Sequence, residues 1–129
     1  MNSKKILIID ETSFSRICSA LLGLKGYVAE ALQDLSQFPQ RDSLANFGLV
    51  VVSHPYGAGL FEALSDAGLP VLVLSDCIND ALLSDLKIVR NSYCMVKPLD
   101  YEQFNSFVGQ VFTGVSAGVS AFGGGSTFD

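Results

Sequence analysis

Short apolar segments alternate along the chain with segments whose apolar residues recur at helical spacing. Several of the apolar segments are rich in β-branched residues and run without polar interruption, which is typical of strands buried on both faces of a parallel sheet. The pattern predicts five strands, at residues 5–10, 27–32, 47–53, 69–75 and 93–96. It also predicts helices near 12–22, 60–67, 80–89 and 101–111, and a weakly helical stretch at 34–47.

Strands that alternate with helices predict the α/β class, here a single doubly wound, five-stranded parallel sheet with helices on both faces. Thr12 or Ser13 is predicted to cap the first helix and Asp100 the last, because short polar side chains accept hydrogen bonds from free amides at a helix start. Pro39 interrupts the stretch at 34–47, which makes a long helix there unfavourable.

The sequence divides into a folded part and a tail. Residues 1–113 carry the strand and helix pattern, and they suffice for one domain with one core. Residues 114–129 are rich in Gly, Ser and Ala and bury too little surface to order themselves, so we expect a flexible tail or linker. A docking peptide that uses Phe122 and Phe128 is the alternative for this segment.

Composition argues against several classes of function. The net charge of −5 and the scattered basic residues argue against a nucleic-acid-binding surface. Three cysteines without a CxxC spacing indicate neither a disulfide framework nor a zinc site. No apolar run reaches membrane-spanning length, and the first apolar run is too short for a signal peptide, so we expect a cytoplasmic protein.

Polar residues close the predicted strands at their carboxyl ends. In open α/β sheets this edge is where ligands bind. The residues concerned are Asp10 and Glu11 at the end of the first strand, Ser53 and His54 at the end of the third, Ser75 at the end of the fourth and Lys97 after the fifth.

This ordered set, with Gly26 and Tyr27 before the second strand and Pro98 after Lys97, resembles the receiver domain of two-component response regulators. The resemblance covers about residues 4–113, and the spacing from the fourth-strand hydroxyl to the lysine is the one that the family shows. It implies a flavodoxin-like, receiver-like fold with strand order 2-1-3-4-5. It further implies phosphoryl transfer from a histidine kinase to an aspartate at the end of the third strand.

The resemblance assigns Mg²⁺ binding to an acidic pair together with that aspartate. Asp10 and Glu11 match the acidic pair, but Ser53 stands at the position of the aspartate. Mg²⁺ can be bound by one or two carboxylates and waters when a substrate phosphate supplies the remaining ligands. We therefore predict a vestigial acidic pocket at Asp10 and Glu11 without a resident metal, where Mg²⁺ binds weakly at most.

The serine also removes the phosphoacceptor that the resemblance implies. An aspartate is an ionised nucleophile at pH 7, whereas the hydroxyl of Ser53 needs an adjacent general base. The neighbouring His54 is badly placed to act as that base, because consecutive side chains on a strand point to opposite faces.

Further positions agree with or depart from the family pattern. Ser75 and Lys97 match the hydroxyl and the lysine that bind the phosphoryl oxygens in the family. Cys94 occupies the slot of the aromatic switch residue, and Tyr93, one residue earlier, is expected to point to the opposite face. Gly48 stands where the family often has an acidic residue, and the loop after the third strand is short.

We therefore predict an atypical receiver domain that acts in signal transduction as a phosphorylation-independent protein-interaction module, without enzymatic activity and without a cofactor. One alternative is a functioning phosphoryl acceptor that uses Ser53, His54 or another residue. A second alternative is a flavodoxin-like nucleotide or flavin binder. It fits least, because the turn after the first strand has no glycine that would let a phosphate approach the backbone.

The resemblance also implies an interaction surface, formed by the fourth helix, fifth strand and fifth helix at about residues 80–110. Tyr93, Tyr101 and Phe104 are its candidate anchors, because aromatic residues carry a large share of interface energy. The predicted partner is a signalling protein or an output domain, with a second copy of the chain as a further candidate. Neither nucleic acid nor a membrane is expected to bind this domain.

Overall fold

The computed structural model describes residues 4–32, 34–38, 41–89 and 91–113, so the tail predicted at 114–129 lies outside the described residues. Short 3₁₀ turns at Leu35–Gln37 and Ala58–Leu60 precede the second and third helices. In chain order the strands and helices are β1 (Lys5–Ile9), α1 (Thr12–Leu24), β2 (Ala29–Ala31), α2 (Arg41–Leu44), β3 (Phe47–His54), α3 (Phe61–Ala67), β4 (Val71–Ser75), α4 (Asp80–Leu86), β5 (Ser92–Val96) and α5 (Tyr101–Thr113).

Within the described residues, five strands form one parallel sheet in the order β2-β1-β3-β4-β5. The predicted α/β class and the strand order 2-1-3-4-5 are thereby confirmed. β3 lies at the centre of the sheet, and all but one of its eight residues are buried. The uninterrupted apolar sequence of β3 suits this position, since neither face of the strand meets water.

Side chains that alternate along the central strands form two apolar layers, one on each face of the sheet. Val51 and its neighbours pack against α1 and α5 on one face. Val52 and its neighbours pack against α2, α3 and α4 on the other face. The presence of helices on both faces confirms the predicted doubly wound arrangement.

The two predicted helix caps have different outcomes. Asp100 caps α5, because its Oδ1 accepts hydrogen bonds from the backbone N–H groups of Glu102 and Gln103, at 3.0 and 3.2 Å. The cap predicted for α1 is wrong, since the helix already begins at Thr12 and Glu11 occupies the N-cap without a side-chain hydrogen bond. In place of a hydroxyl cap, the carboxylate of the preceding aspartate accepts a hydrogen bond from the Glu11 amide.

The end of β3 lies one residue beyond its predicted position. His54 continues the strand and pairs in register with Ser75 of β4. The predicted bounds of other elements differ by a few residues, most clearly at β2, which comprises only three residues at the edge of the sheet. The extended β3 carries His54, as well as Ser53, to the carboxyl edge of the sheet.

Near its start, β3 passes close to the end of α5 at Gly48. A Cβ atom on Gly48 would lie 2.7 Å from Cε1 of Phe112 and 3.2 Å from Cβ of Lys4. The Phe112 ring therefore occupies the space that a larger side chain would need, and its centroid lies 5.4 Å from that of Tyr27. Because residue 48 has no side chain, α5 can approach the central strand closely.

A tight turn follows β3 and brings the chain back over the end of the strand. The amide of Gly57 donates a hydrogen bond to the carbonyl oxygen of Ser53, at 2.8 Å. A Cβ atom on Gly57 would overlap Cγ2 of Val52 and lie 3.2 Å from Cγ2 of Ile9. The turn can pack against these two buried side chains because residue 57 is a glycine.

We expect Gly57→Ala to lower the free energy of unfolding by about 1–3 kcal/mol, because the added methyl group overpacks a rigid part of the core. The matched control is Gly59→Ala, since a Cβ atom at Gly59 would meet no atom within 4 Å. Urea denaturation followed by circular dichroism measures both variants. Equal effects of the two substitutions would show that the close packing at Gly57 does not constrain the turn.

Candidate functional site

Two of the predicted site residues form a salt bridge at the carboxyl edge of the sheet. Lys97 Nζ lies 3.0 Å from Oδ2 of Asp10, and the side chain of Asp10 is only 3% exposed. The other carboxylate oxygen, Oδ1, accepts a hydrogen bond from the backbone N–H of Glu11, at 2.6 Å. Both oxygens of the buried carboxylate therefore have donors within the protein, one of them charged.

The position of Lys97 is set by contacts with two further elements. Its backbone N–H donates a hydrogen bond to the carbonyl oxygen of Ser75, at 2.8 Å, which continues the pairing of β5 with β4. Its ammonium group lies 4.5 Å from the ring centroid of Phe14 on α1, in a cation–π arrangement. The lysine thus bridges the end of the sheet and the first turn of α1.

Ser53 lies beside this ion pair in the sheet. Ile9 and Val52 are partners in the register of β1 and β3, so Asp10 and Ser53 follow at neighbouring positions of the same edge. Ser53 is 4% exposed, and its Oγ has no hydrogen-bond partner among the residues that the structure describes. Within that described part of the chain, no general base contacts this hydroxyl.

His54 enters the opposite layer of the domain, as strand alternation predicts. Its Nε2 lies 2.8 Å from Oδ2 of Asp85 on α4, and its ring centroid lies 5.9 Å from that of Phe61 on α3. His54 is therefore directed away from the layer of α1 and α5 that contains Val51. The sequence carries no local signal for the contact with Asp85, because the two residues are 31 positions apart.

Ser75 is the last residue of β4, at the carboxyl edge of the sheet, whereas Cys94 lies two residues before the end of β5. The hydroxyl of Ser75 is buried and donates a hydrogen bond to the carbonyl oxygen of Cys77, at 2.8 Å. Cys94 is half-buried and packs in the layer that contains α3 and α4, where burial raises the pKa of its thiol. Neither side chain contacts the ion pair through a hydrogen bond that the structure records.

The three candidate anchors of the interaction surface differ in exposure. Tyr101 is 38% exposed. Tyr93 is half-buried, with its ring centroid 5.1 Å from that of Phe107 on α5, and it packs in the layer opposite to Cys94. Phe104 is fully buried between α5 and the sheet, so its prediction as a surface anchor is wrong. Its helical position faces the core because α5 directs one apolar side against the sheet.

The residues at the edge do not fit the Mg²⁺ site that the resemblance implies. The carboxylate of Asp10 is already bound by Lys97 and by a backbone amide. Glu11 is exposed, and Ser53 contributes a neutral hydroxyl where the family has a third carboxylate. Among the described residues, no group of three histidine, cysteine, aspartate or glutamate side chains could hold a metal ion.

Cys18 lies in the core beneath this edge, and the charges of Asp10 and Lys97 affect the pKa of its thiol. The pKa of the Cys18 thiol is raised from its ordinary value of 9.0 to about 12, chiefly by burial. The carboxylate of Asp10 contributes to this rise, and the ammonium group of Lys97 opposes it. The thiol therefore stays protonated at neutral pH and is a poor nucleophile in the folded protein.

We expect thiol labelling at pH 8 to distinguish the cysteines of the native protein. Cys77 is exposed and should react rapidly with Ellman's reagent, whereas Cys18 should stay unmodified until the protein unfolds. Mass spectrometry of the labelled peptides identifies the modified residue. Cys77→Ser is the control and should remove the fast phase, while rapid modification of Cys18 in native protein would contradict the buried site described here.

The described residues contain no helix that is both long enough and apolar enough to cross a membrane. A scan against protein-family models and a search of curated proteins each found no match.

Several solved structures match the chain over most of its length. A two-component response regulator from Clostridium difficile matches with a TM-score of 0.73 at 18% sequence identity, covering 86% of this chain and 97% of that chain. The signal receiver domain of a histidine kinase from Syntrophus aciditrophicus matches with a TM-score of 0.72 at 19% identity, covering 89% and 94%. The chemotaxis protein CheY4 of Vibrio cholerae matches with a TM-score of 0.68 at 18% identity, covering 86% and 99%. At these identities the similarity concerns the fold, and the chain has the fold of response-regulator receiver domains.

Proposed function

We propose that this chain is a receiver-like signalling module that binds a partner protein and takes no phosphoryl group. The observation that carries the proposal is Ser53, a buried hydroxyl without a hydrogen-bond partner in the described residues, at the acceptor position of a receiver fold. A hydroxyl without a base is not a nucleophile at neutral pH. The other candidate acceptor, His54, is buried and hydrogen-bonded to Asp85.

The charges at the edge also favour a role without phosphoryl transfer. In the family the lysine binds phosphoryl oxygens, but here Lys97 is paired with Asp10 at 3.0 Å. A phosphoryl group at Ser53 would have to compete with that carboxylate for the lysine. A metal ion bound beside that phosphoryl group would also have one carboxylate ligand fewer than the family site provides.

The proposed partner-binding surface lies at α4, β5 and the start of α5. Eight large hydrophobic side chains are exposed in the described residues, and five of them fall between residues 78 and 101, the part of the sequence that contains α4, β5 and the start of α5. The five are Ile78, Leu83, Ile88, Val96 and Tyr101.

A groove of about 370 Å³ lies between α4 and β5 on this side of the domain. Its lining is largely apolar, which suits a hydrophobic side chain of a bound protein. The groove is lined by Leu83, Leu86, Lys87, Ser92, Tyr93 and Cys94.

A separate, larger cavity of about 550 Å³ lies near Asp66 and Asn91, at the opposite edge of the sheet from Asp10.

We expect beryllofluoride with millimolar Mg²⁺ to leave the amide NMR spectrum around Ser53, Ser75 and Lys97 unchanged. A neutral hydroxyl replaces the charged oxygen that would bind beryllium, and the loss of one charge-assisted contact costs about 1.5–3 kcal/mol, or one to two decades in affinity. Incubation with acetyl phosphate should likewise add no phosphate that mass spectrometry detects. A phosphorylated peptide containing Ser53 or His54 would overturn the proposal.

Ser53→Asp is the matched variant for this experiment. We expect it to bind Mg²⁺ more tightly than the wild type, because the new carboxylate joins Asp10 and Glu11 at the same edge. We do not expect Ser53→Asp to make the surface at α4, β5 and α5 respond to phosphorylation, because Cys94 supplies no aromatic ring at the switch position. A variant that fails to bind Mg²⁺ at all would show that the acidic pair is not a vestigial metal site.

We expect Tyr101→Ala to weaken self-association, or capture of a partner by the immobilised protein, because it removes an exposed aromatic anchor. The free energy of unfolding should stay within about 0.5 kcal/mol of the wild type. Sedimentation over a concentration series and urea denaturation measure the two effects. Leu24→Ala is the control, since Leu24 is exposed on α1, which packs near β2 at the other end of the sheet.

A stability loss of about 3–5 kcal/mol, the size expected for a buried aromatic residue such as Phe104, would place Tyr101 in the core and contradict the interface. The interface would also be contradicted if Leu24→Ala weakened association as much as Tyr101→Ala.

A further inference from the structure

The single histidine of the chain forms a buried contact between the central strand and the helix that lines the groove. The side chain of His54 is 5% exposed, and its Nε2 lies 2.8 Å from Oδ2 of Asp85. The distance fits a hydrogen bond in which the ring N–H donates to the carboxylate, whether the ring is neutral or charged. The side chain of Asp85 is 31% exposed, so the hydrogen bond lies at the boundary between the core and the solvent.

Apart from this bond, α4 is held by one buried side chain and by contacts at its end. The helix comprises seven residues, Leu82 is its only buried residue, and Leu86 packs partly buried against the same core. The carbonyl oxygen of Leu86 accepts a hydrogen bond from Oγ of Ser92 on β5, at 3.3 Å, which holds the last residue of the helix but not its middle. The side chain of Asn79 caps its start by accepting a hydrogen bond from the amide of Leu82, at 2.9 Å, but this bond is local to the helix. An apolar contact is non-directional and allows a short helix to slide or rotate. A hydrogen bond of fixed length and angle resists such movements.

Asp85 lies between the residues of α4 that form the wall of the groove. Leu83 and Leu86 line the groove on one side, and Tyr93 and Cys94 line it on the other. A rotation or shift of α4 would therefore move Leu83 and Leu86 relative to β5. The width of the groove therefore depends on where Asp85 is held, as well as on the bond from Ser92 to the last residue of the helix.

We propose that the His54–Asp85 hydrogen bond is a positioning device that fixes α4 on the central strand, and that it thereby sets the shape of the groove between α4 and β5 together with the bond from Ser92 to the end of the helix. The role of the groove as a docking surface rests on the function proposed above, whereas the positioning of α4 does not. His54 directly follows Ser53, so the strand that carries the acceptor position also carries the residue that holds the surface helix. The bond holds that helix without any phosphoryl group.

The test compares Asp85→Ala with Asp80→Ala by amide hydrogen exchange and two-dimensional NMR of the full chain. Both substitutions remove one negative charge from α4, but Asp80 is exposed and has no recorded bond to the sheet. We expect Asp85→Ala to raise exchange of the α4 amides at 82–86 about ten- to a hundredfold, as loss of a hydrogen bond to a charged group would. It should also shift the amide signals of 92–94, while those of β1 stay in place.

Two further variants separate the bond from the bulk of the residues. Asp85→Asn keeps an oxygen acceptor for the imidazole and should retain most of the protection in α4. His54→Ala removes the other partner, and the double variant with Asp85→Ala should add little to either single change, because all three lack the same bond. If His54→Ala does not fold, the comparison of the alanine and asparagine variants at Asp85 still decides the question.

Wild-type exchange in α4 and unchanged signals at 92–94 in Asp85→Ala would overturn the inference. An equal rise in Asp80→Ala would do the same, because charge loss alone would then account for the effect. Association is not measured here, so a Tyr101→Ala variant that associates normally counts against the proposed function and leaves the positioning of α4 intact.

Discussion

Both faces of β3 are covered by helices, so each side chain along the strand must be apolar or must find a polar partner inside the protein. The run from Leu49 to Val52 meets this condition with apolar side chains alone. The two polar residues that follow enter opposite layers and differ in outcome. His54 reaches a carboxylate on α4, whereas the hydroxyl of Ser53 has no partner among the described residues. β3 thus places two polar side chains at the same edge of the sheet, one with a hydrogen-bond partner and one without a partner in the described part of the chain.

The ion pair at that edge has a structural use that is independent of phosphoryl chemistry. A carboxylate that is 3% exposed is unfavourable without a positive charge beside it, and Lys97 supplies that charge to Asp10. Removal of the lysine alone would leave a buried charge unpaired, which destabilises more than removal of a surface ion pair. These two residues therefore contribute to the stability of the domain whether or not a phosphoryl group is ever bound at this edge.

The sheet was predictable from the sequence because its strands are continuous apolar runs closed by polar residues, and that pattern depends on local composition. The alternation that separates Ser53 from His54 and Tyr93 from Cys94 follows from strand geometry alone. Contacts between distant elements were not predictable. The bond from His54 to Asp85 depends on how α4 sits on the sheet, which a single sequence does not encode locally. The burial of Phe104 was within reach of the sequence, because Phe104, Phe107 and Val108 recur at helical spacing and form one apolar face of α5.

The close approach of Phe112 to Gly48 limits how this sequence can change over time. Receivers often carry an acidic residue at the position of Gly48, but any side chain there must displace the aromatic ring. An acidic residue at this position would also place its charge against the apolar packing between α5 and β3. A side chain of any size at residue 48 consequently requires a compensating change at the end of α5. The packing at this one glycine thus links residue 48 to residue 112, so that neither can change its size independently of the other.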